Sequence, residues 1–316
     1  MIYTIENDYL RVDVCELGAT LMKLINKKSG TDLVLGYETE DDYIKYNGAN
    51  IGASVGRNAN RIGNAQFTLN DKLYKLTVND NGINQLHGGG INGFAFKKWE
   101  VVNKTNNEIT FKYFSKDGEE GFPGNLNVEV TYKIEGNNLI WSYFGTSDQD
   151  TILNMTNHSY FNLGNDDILD CKLHITTNKY SPVDDKSLTK DEVLDVNNTP
   201  YDFSEFKRVG DNLKQLECGI DNNYVWEVMG EKLMAELKSD KFKLSVYSDL
   251  PDMHLYTAYY LNGELGKYNK VYKPFDALCL ECQYYPNGIN YSKYIKPILK
   301  KGESMRHYIR YEIENI

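Results

Sequence analysis

The 316-residue chain carries a formal net charge of −10 and has a pI near 5.1. That balance argues against a protein that tracks nucleic-acid phosphates, although it leaves room for a local basic patch. Mean hydropathy is −0.55, no apolar run is long enough to span a bilayer, and the N-terminal "MIYTIENDYLRVDV" lacks the basic start and apolar stretch of a signal peptide.

A chain of this length can bury an ample core without disulfides or metals. Length alone points to about two domains, but large all-β folds run long as one. The five cysteines, Cys15, Cys171, Cys218, Cys279 and Cys282, are few, odd in number and mostly far apart. They fit a reduced, cytosolic protein better than a disulfide scaffold. Aromatics make up 13% of the chain and 25 of them are tyrosines. Tyrosine suits β-sheets and sugar-binding clefts alike.

In chain order, "YLRVDV" (9–14) alternates as a strand, and the acidic-led "TEDDYIKY" (39–46) is the best helical candidate. "KLYKLTV" (72–78) and "EITFKYF" (108–114) alternate again. "LNVEVTYKI", then "EGNN", then "LIWSYFGTS" (126–147) reads as a hairpin around a turn-forming centre. "DFSEFKRV" (202–209) is a candidate for a turn or two of helix. "AELKSDKFKLSVYS" (235–248) is a second hairpin, and "DALCLECQYY" (276–285) looks like a buried strand. From about Asp184 to Gly219 the pattern is weak, and loops that long are often functional. No linker, charge block or repeat divides the chain. The expectation is one all-β domain over 1–316: a large antiparallel β-sandwich with long loops and few short helices.

"NMTNHSYFNL" (154–163) also reads as a strand, and an unusual one. One face carries Asn154, Thr156, His158, Tyr160 and Asn162; the other carries Met155, Asn157, Ser159, Phe161 and Leu163. The first face is a row of neutral hydrogen-bonding groups where a solvated face would more usually carry Lys and Glu.

The candidate chemistry is selective. No two of the five histidines are three or four residues apart, and "CLEC" (279–282) is a lone pair of thiols without a second pair. On a strand, Cys279 and Cys282 point to opposite faces, so two packed thiols is the plainer reading. "GASVG" (52–56) matches the serine-nucleophile pattern around Ser54, but the "RNANRIGN" that follows is a poor helix former. "LHGGGING" (86–93) lacks the lysine and spacing of a phosphate loop; its glycines fit positive φ or close backbone approach. His87 beside it is either a structural hydrogen-bonder or a catalyst. Glu281 lies inside an apolar strand on the same face as Cys279 and Gln283, which leaves two readings open: a buried ion pair, or an acid/base with a raised pKa.

Together, "GRNANRIGNAQFTLNDKLYKL" (56–76), "NQLHGG" (84–89), "TNHSYFNLGN" (156–165), "GIDNNYV" (219–225), "LYTAYYLNG" (255–263) and "LECQYYPNGIN" (280–290) resemble the aldose 1-epimerases, the galactose mutarotase family. The resemblance runs over essentially the whole chain. It implies a single-domain β-sandwich and an isomerase that interconverts α and β anomers of aldohexoses such as galactose and glucose, with no cofactor and no metal. By resemblance, His158 matches the general acid, Glu281 the general base and His87 a second active-site histidine. Asn60, Arg61, His87, Ser159, Tyr160 and Asp221 match sugar-contacting positions, and His254 stands where the family often has Gln. The order Asp221-Asn222-Asn223 and Cys282 after Glu281 also depart from the usual pattern, so sugar preference is the part that carries over least. The implied partner is a small sugar in the cytoplasm, with no nucleic acid or membrane; the resemblance leaves monomer and homodimer equally open.

Three other classes compete. A catalytically silent sugar-binding protein would use the same amide- and aromatic-rich cleft. A sugar-phosphate anomerase would need extra basic residues there. A serine hydrolase would depend on Ser54.

Overall fold

A computed structural model describes residues 1–316, with the side chain of Asn47 left aside. A nine-stranded sheet forms where the sequence alternates most cleanly. Its order is Glu100–Lys104, Glu108–Ser115, Leu126–Glu135, Asn138–Ser147, Ser304–Asn315, Phe242–Ser248, Lys232–Lys238, Lys172–Ile175, Lys207–Arg208, every neighbouring pair antiparallel. The predicted 126–147 hairpin supplies its third and fourth strands, and Gly136 supplies the positive φ of the hairpin's tight turn. Val128, Val130, Tyr132, Leu139 and Trp141 all point to one buried face. The long C-terminal strand joins the two predicted hairpins by pairing with one on each edge.

A six-stranded antiparallel sheet packs against it, in the order Tyr160–Phe161, Leu278–Gln283, Asp252–Tyr256, Asp221–Val225, Lys179–Ser181, Leu194–Asp195. Alternation gives this sheet two unlike faces. Leu278, Leu280, Cys282, Met253, Leu255 and Tyr224 enter the main core beside Trp141, Val246 and Tyr311. Cys279, Glu281, Gln283, Asp252, His254 and Tyr256 occupy the opposite positions and are nearly all buried too. A four-stranded antiparallel sheet, Ile2–Glu6, Leu10–Cys15, Thr20–Asn26 and Thr31–Asp32, covers a further side of the core. The two α-helices are short, Glu40–Tyr46 and Val209–Leu213. Among the described residues, no helix is long and apolar enough to cross a membrane.

Four expectations are corrected. "NMTNHSYFNL" is not one strand. Thr156–Asn157 pairs with Ser54–Val55, and Tyr160–Phe161 pairs with Leu278–Gln283. Between them His158 exchanges main-chain hydrogen bonds with Ala53 and Gly52, which carries the chain from one small sheet to the other. The helix expected over 202–209 falls at Val209–Leu213 instead, because Lys207–Arg208 pairs with Lys172–Leu173 as an edge strand. The 184–219 stretch is held by short bridges and accepts the Tyr285 and Tyr291 hydroxyls at the Lys190 and Thr189 carbonyls. It does not line the main cavity. Ser54 is fully buried; its hydroxyl donates to the Ala19 carbonyl and accepts from the Trp141 indole. A nucleophile needs an exposed oxygen beside a base, so the hydrolase reading is excluded.

Arg57 was not singled out by its sequence, yet it organises the segment that leads to Asn60 and Arg61. Its guanidinium is buried and donates to the Ser115 hydroxyl and carbonyl, the Pro123 and Lys116 carbonyls and the Thr151 hydroxyl. Burial pushes its pKa down to about 10, with the charge of Glu119 acting upward. Removing this hub leaves several buried acceptors unpaired. Arg57→Met is expected to lower stability by about 3 kcal/mol or more. Urea unfolding should show a reduced midpoint at an unchanged slope.

Candidate active site

The cavity-facing side of the six-stranded sheet assembles residues far apart in the chain. Antiparallel register sets Glu281 opposite His254 and Cys279 opposite Tyr256. On the next strand Asp221 lies opposite Tyr256, and on the other edge Tyr160 lies opposite Cys279. Glu281, His254, Tyr256, Asp221 and Tyr160 border a cavity of about 260 Å³, closed on its far side by the Asn60–Arg61 turn and by His87.

His158 enters from the crossing segment. Its ring stacks on Tyr160, with centroids 5.2 Å apart and planes 19° from parallel. It meets His87 edge-on at 5.1 Å. Nε2 of His158 lies 3.6 Å from Oε1 of Glu281, and Nδ1 lies 3.5 Å from the Cys279 sulfur.

His87 follows the short strand Gln85–Leu86, which pairs with Arg61–Ile62. That pairing places it across from Asn60. The His87 amide donates to the Asn60 carbonyl, and the Asn60 amide donates to Nδ1 of His87 at 3.2 Å. The neutral His87 ring therefore carries its proton on Nε2. Gly88, at φ +76°, lets the loop pass over Gly56, whose carbonyl oxygen a Cβ would meet at 2.0 Å.

Charge is distributed unevenly around the cavity. Arg61 donates through Nε to Asp80 at 3.1 Å, and its Nη1 lies 3.8 Å from Asp221. The other Asp221 oxygen lies 2.7 Å from Nε2 of His254. Burial acts to raise the Asp221 pKa, but the His254 hydrogen bond and the Arg61 charge outweigh it, so Asp221 stays low and ionised. Glu281 goes the other way. Burial, with a contribution from the charge of Asp221, pushes its carboxyl well above the usual range, and Arg61 offsets this only in part. Burial also drives His87 well below its ordinary value, with help from His158 and Arg61. It lowers His158 to about 4, against the upward pull of the ring's own main-chain carbonyl. Two carboxyls whose surroundings push them apart mark an acid/base site. Glu281 Oε2 and His254 Nδ1 are buried with no protein partner.

Ligand atoms of His87, His158 and Glu281 lie within 4.8 Å of one another. Nδ1 of His87 is already an acceptor for Asn60, and the ring proton occupies Nε2. His87 is thus a donor toward the cavity, and the cluster does not offer the third lone pair that a metal site needs.

His87, His158, Glu281, Asn60, Arg61, Tyr160, Asp221 and His254 all reach this one cavity. Ser159 does not. It is buried and its hydroxyl donates to Asn157. Asn154, Thr156 and Asn162 of the expected polar row also face elsewhere; Asn154 accepts from the Tyr284 amide, and Asn162 closes the turn at Gly164. Reading by sequence missed Asp80, which holds Arg61, and Tyr256, Tyr260 and Glu264 in the lining. The tyrosines stand inside "LYTAYYLNG", where only their place on the sheet separates them from ordinary strand residues.

Fold and site together define a sheet-built protein with a buried carboxyl and imidazole side by side in a small polar cleft. Comparison with known proteins narrows the class. A family model described as aldose 1-epimerase matches residues 1–312. The chain is 36% identical to a galactose mutarotase of Sus scrofa over 316 residues, covering 96% of this chain and 91% of that protein. It is 31% identical to an aldose 1-epimerase of Escherichia coli K12, over 95% of this chain and 91% of that protein. The solved structure of a GalM/aldose epimerase homologue from C. elegans superimposes with a TM-score of 0.93 at 30% identity, covering 100% of this chain and 99% of the other. That of a galactose 1-epimerase from Lactobacillus acidophilus NCFM gives 0.87 at 30% identity, over 99% and 93% of the two chains. The chain belongs to the aldose 1-epimerase family of isomerases.

The buried environment of His158 has a direct signature. In the unliganded protein its ring is expected to titrate with a midpoint near pH 4, well below the ordinary value of about 6.5. Histidine ring resonances followed by NMR against pH provide the measurement. A midpoint at the ordinary value would show that the ring is solvated.

Proposed function

We propose that this chain is a mutarotase that interconverts the α and β anomers of aldohexoses such as galactose and glucose. The observation that carries this reading is the contact between Glu281 and His158, 3.6 Å apart on the wall of a cavity of about 260 Å³. That volume lies at the small end of ligand sites.

Mutarotation needs one proton moved and then moved back. Burial pushes His158 down and Glu281 up, which favours a pair that shares one proton. In the empty cavity the same burial favours Glu281 as the site of that proton. The charged arrangement, a Glu281 carboxylate and a His158 imidazolium, differs from it only by the position of that proton. Sugar hydroxyls entering the site stabilise the carboxylate by donating to it. From this state His158 protonates the ring oxygen while Glu281 takes the C1 hydroxyl proton. The bond from C1 to the ring oxygen breaks and C1 becomes an aldehyde. Rotation about C1–C2 presents the other face. Reclosure then returns the proton to His158 and leaves Glu281 ionised, so nothing is consumed. Asn60, Arg61, Asp221, His254 and the Nε2 proton of His87 are placed to hold the remaining hydroxyls, and Tyr160 provides the surface on which His158 rests.

A phosphorylated sugar is disfavoured. Among the described residues, Arg61 is the one cationic side chain of the lining, and it already stands between Asp80 and Asp221. A silent binding protein would have no need of a carboxyl raised toward neutrality beside an imidazole. We further propose that residues 1–316 act as one domain, without a cofactor. All five cysteines are free thiols, which supports the cytosol as its compartment.

Polarimetry on fresh α-galactose or α-glucose tests the reading. The protein should speed the decay of rotation, and Glu281→Gln and His158→Asn should each lower kcat by about 10²–10⁴ without unfolding the chain. Near-normal turnover in either variant would remove that residue from its role. The acid limb has a defined sign. As pH falls through about 4, His158 gains a second proton for the pair, the accepting nitrogen is lost, and kcat/KM should fall. A constant rate across that range would contradict the one-proton pair.

A further inference from the structure

The strand Leu278–Gln283 carries two thiols with unlike surroundings. Cys282 faces the main core. Cys279 faces the cavity side, where its sulfur lies 3.5 Å from Nδ1 of His158. An imidazole that works through Nε2 depends on what holds its other nitrogen. A carboxylate in that place would favour the charged ring. Here the side chain beside Nδ1 is a neutral sulfur. Burial, with the charge of Glu281, pushes the Cys279 thiol well above its usual pKa, so it stays uncharged through the cycle.

We propose that Cys279 is a positioning residue of the acid/base pair: its sulfur accepts the Nδ1 proton of His158 and so keeps Nε2 as the one nitrogen that exchanges a proton with Glu281 and substrate. Nε2 faces Oε1 of Glu281, and a carboxyl that donates its proton from Oε1 requires a bare acceptor nitrogen there. With the carboxyl proton on Oε1, a ring with its own proton on Nε2 would set two donors against each other across 3.6 Å. The thiol holds the correct tautomer in the neutral ring and still allows the second proton to arrive at Nε2. This role rests on the mutarotase reading above.

Three variants and one spectrum test it. Cys279→Ala should lower kcat about tenfold with KM little changed, since tautomer choice affects proton transfer rather than sugar binding. Cys279→Ser should stay within about threefold of wild type, because a hydroxyl oxygen also accepts the Nδ1 proton. Cys282→Ala, which removes an equally buried thiol from the other face of the same strand, should leave kcat unchanged. In the unliganded wild-type protein near neutral pH, imidazole ¹⁵N shifts should show His158 with Nδ1 protonated and Nε2 bare; in Cys279→Ala the two tautomers should mix. The proposal is overturned by wild-type kcat in Cys279→Ala, by an equal loss in Cys282→Ala, or by a bare Nδ1 in the wild-type spectrum. A wild-type protein without polarimetric activity would instead end the mutarotase reading, while the ¹⁵N result would still decide the tautomer.

Discussion

The burial of Glu281 is the constraint on which the rest of the site depends. A carboxyl in the middle of the fully buried strand Leu278–Gln283 is stable only as a neutral acid or beside groups that stabilise its charge. The protein supplies both conditions in different states. His158 stands 3.6 Å away, and Arg61 partly offsets the negative charge of Asp221. The same desolvation that raises the carboxyl lowers the imidazole. Two groups whose ordinary pKa values differ by about two units thus become able to trade a single proton.

The sheet makes this arrangement rigid. Glu281, His254 and Asp221 lie on three adjacent strands, and main-chain ladders fix their spacing. The other half of the site is built on turns rather than long strands. His87, Asn60 and Arg61 sit where the chain takes positive φ or reverses direction, held by one two-residue ladder and by reciprocal hydrogen bonds. Arg57 anchors that half to the nine-stranded sheet through neutral acceptors, with no carboxylate among its direct hydrogen-bond partners. Its role there is to hold backbone in place rather than to pair charge.

Much of this was legible before any coordinates. The hairpin over 126–147 and the pair of strands over 235–248 were clear because a half-buried antiparallel strand writes its two faces into alternate residues. The oddity of Glu281 was visible for the same reason: a charge in an apolar run has few explanations. Two-residue strands defeated the method. Periodicity needs several residues to declare itself, and Thr156–Asn157 and Tyr160–Phe161 each supply too few. The run 154–163 looked continuous because its polar side chains alternate, yet only His158 and Tyr160 turn to the cavity. Ser159, adjacent to both, is spent on Asn157.

The sequence by itself determined the all-β class, the principal hairpins and, through the resemblance carried by its motif blocks, the family and the charged and imidazole groups of the cleft other than Glu264. Those features are local: they depend on alternation, turn formers and short ordered motifs. Only the tertiary structure decided that Glu281 and His158 touch, that the Asp221 pKa is held low while that of Glu281 is pushed up, and that Cys279 rather than a carboxylate stands behind the imidazole. Protonation depends on desolvation and on charges brought close by pairing between strands distant in the chain, and neither quantity exists until the sheets have closed on one another.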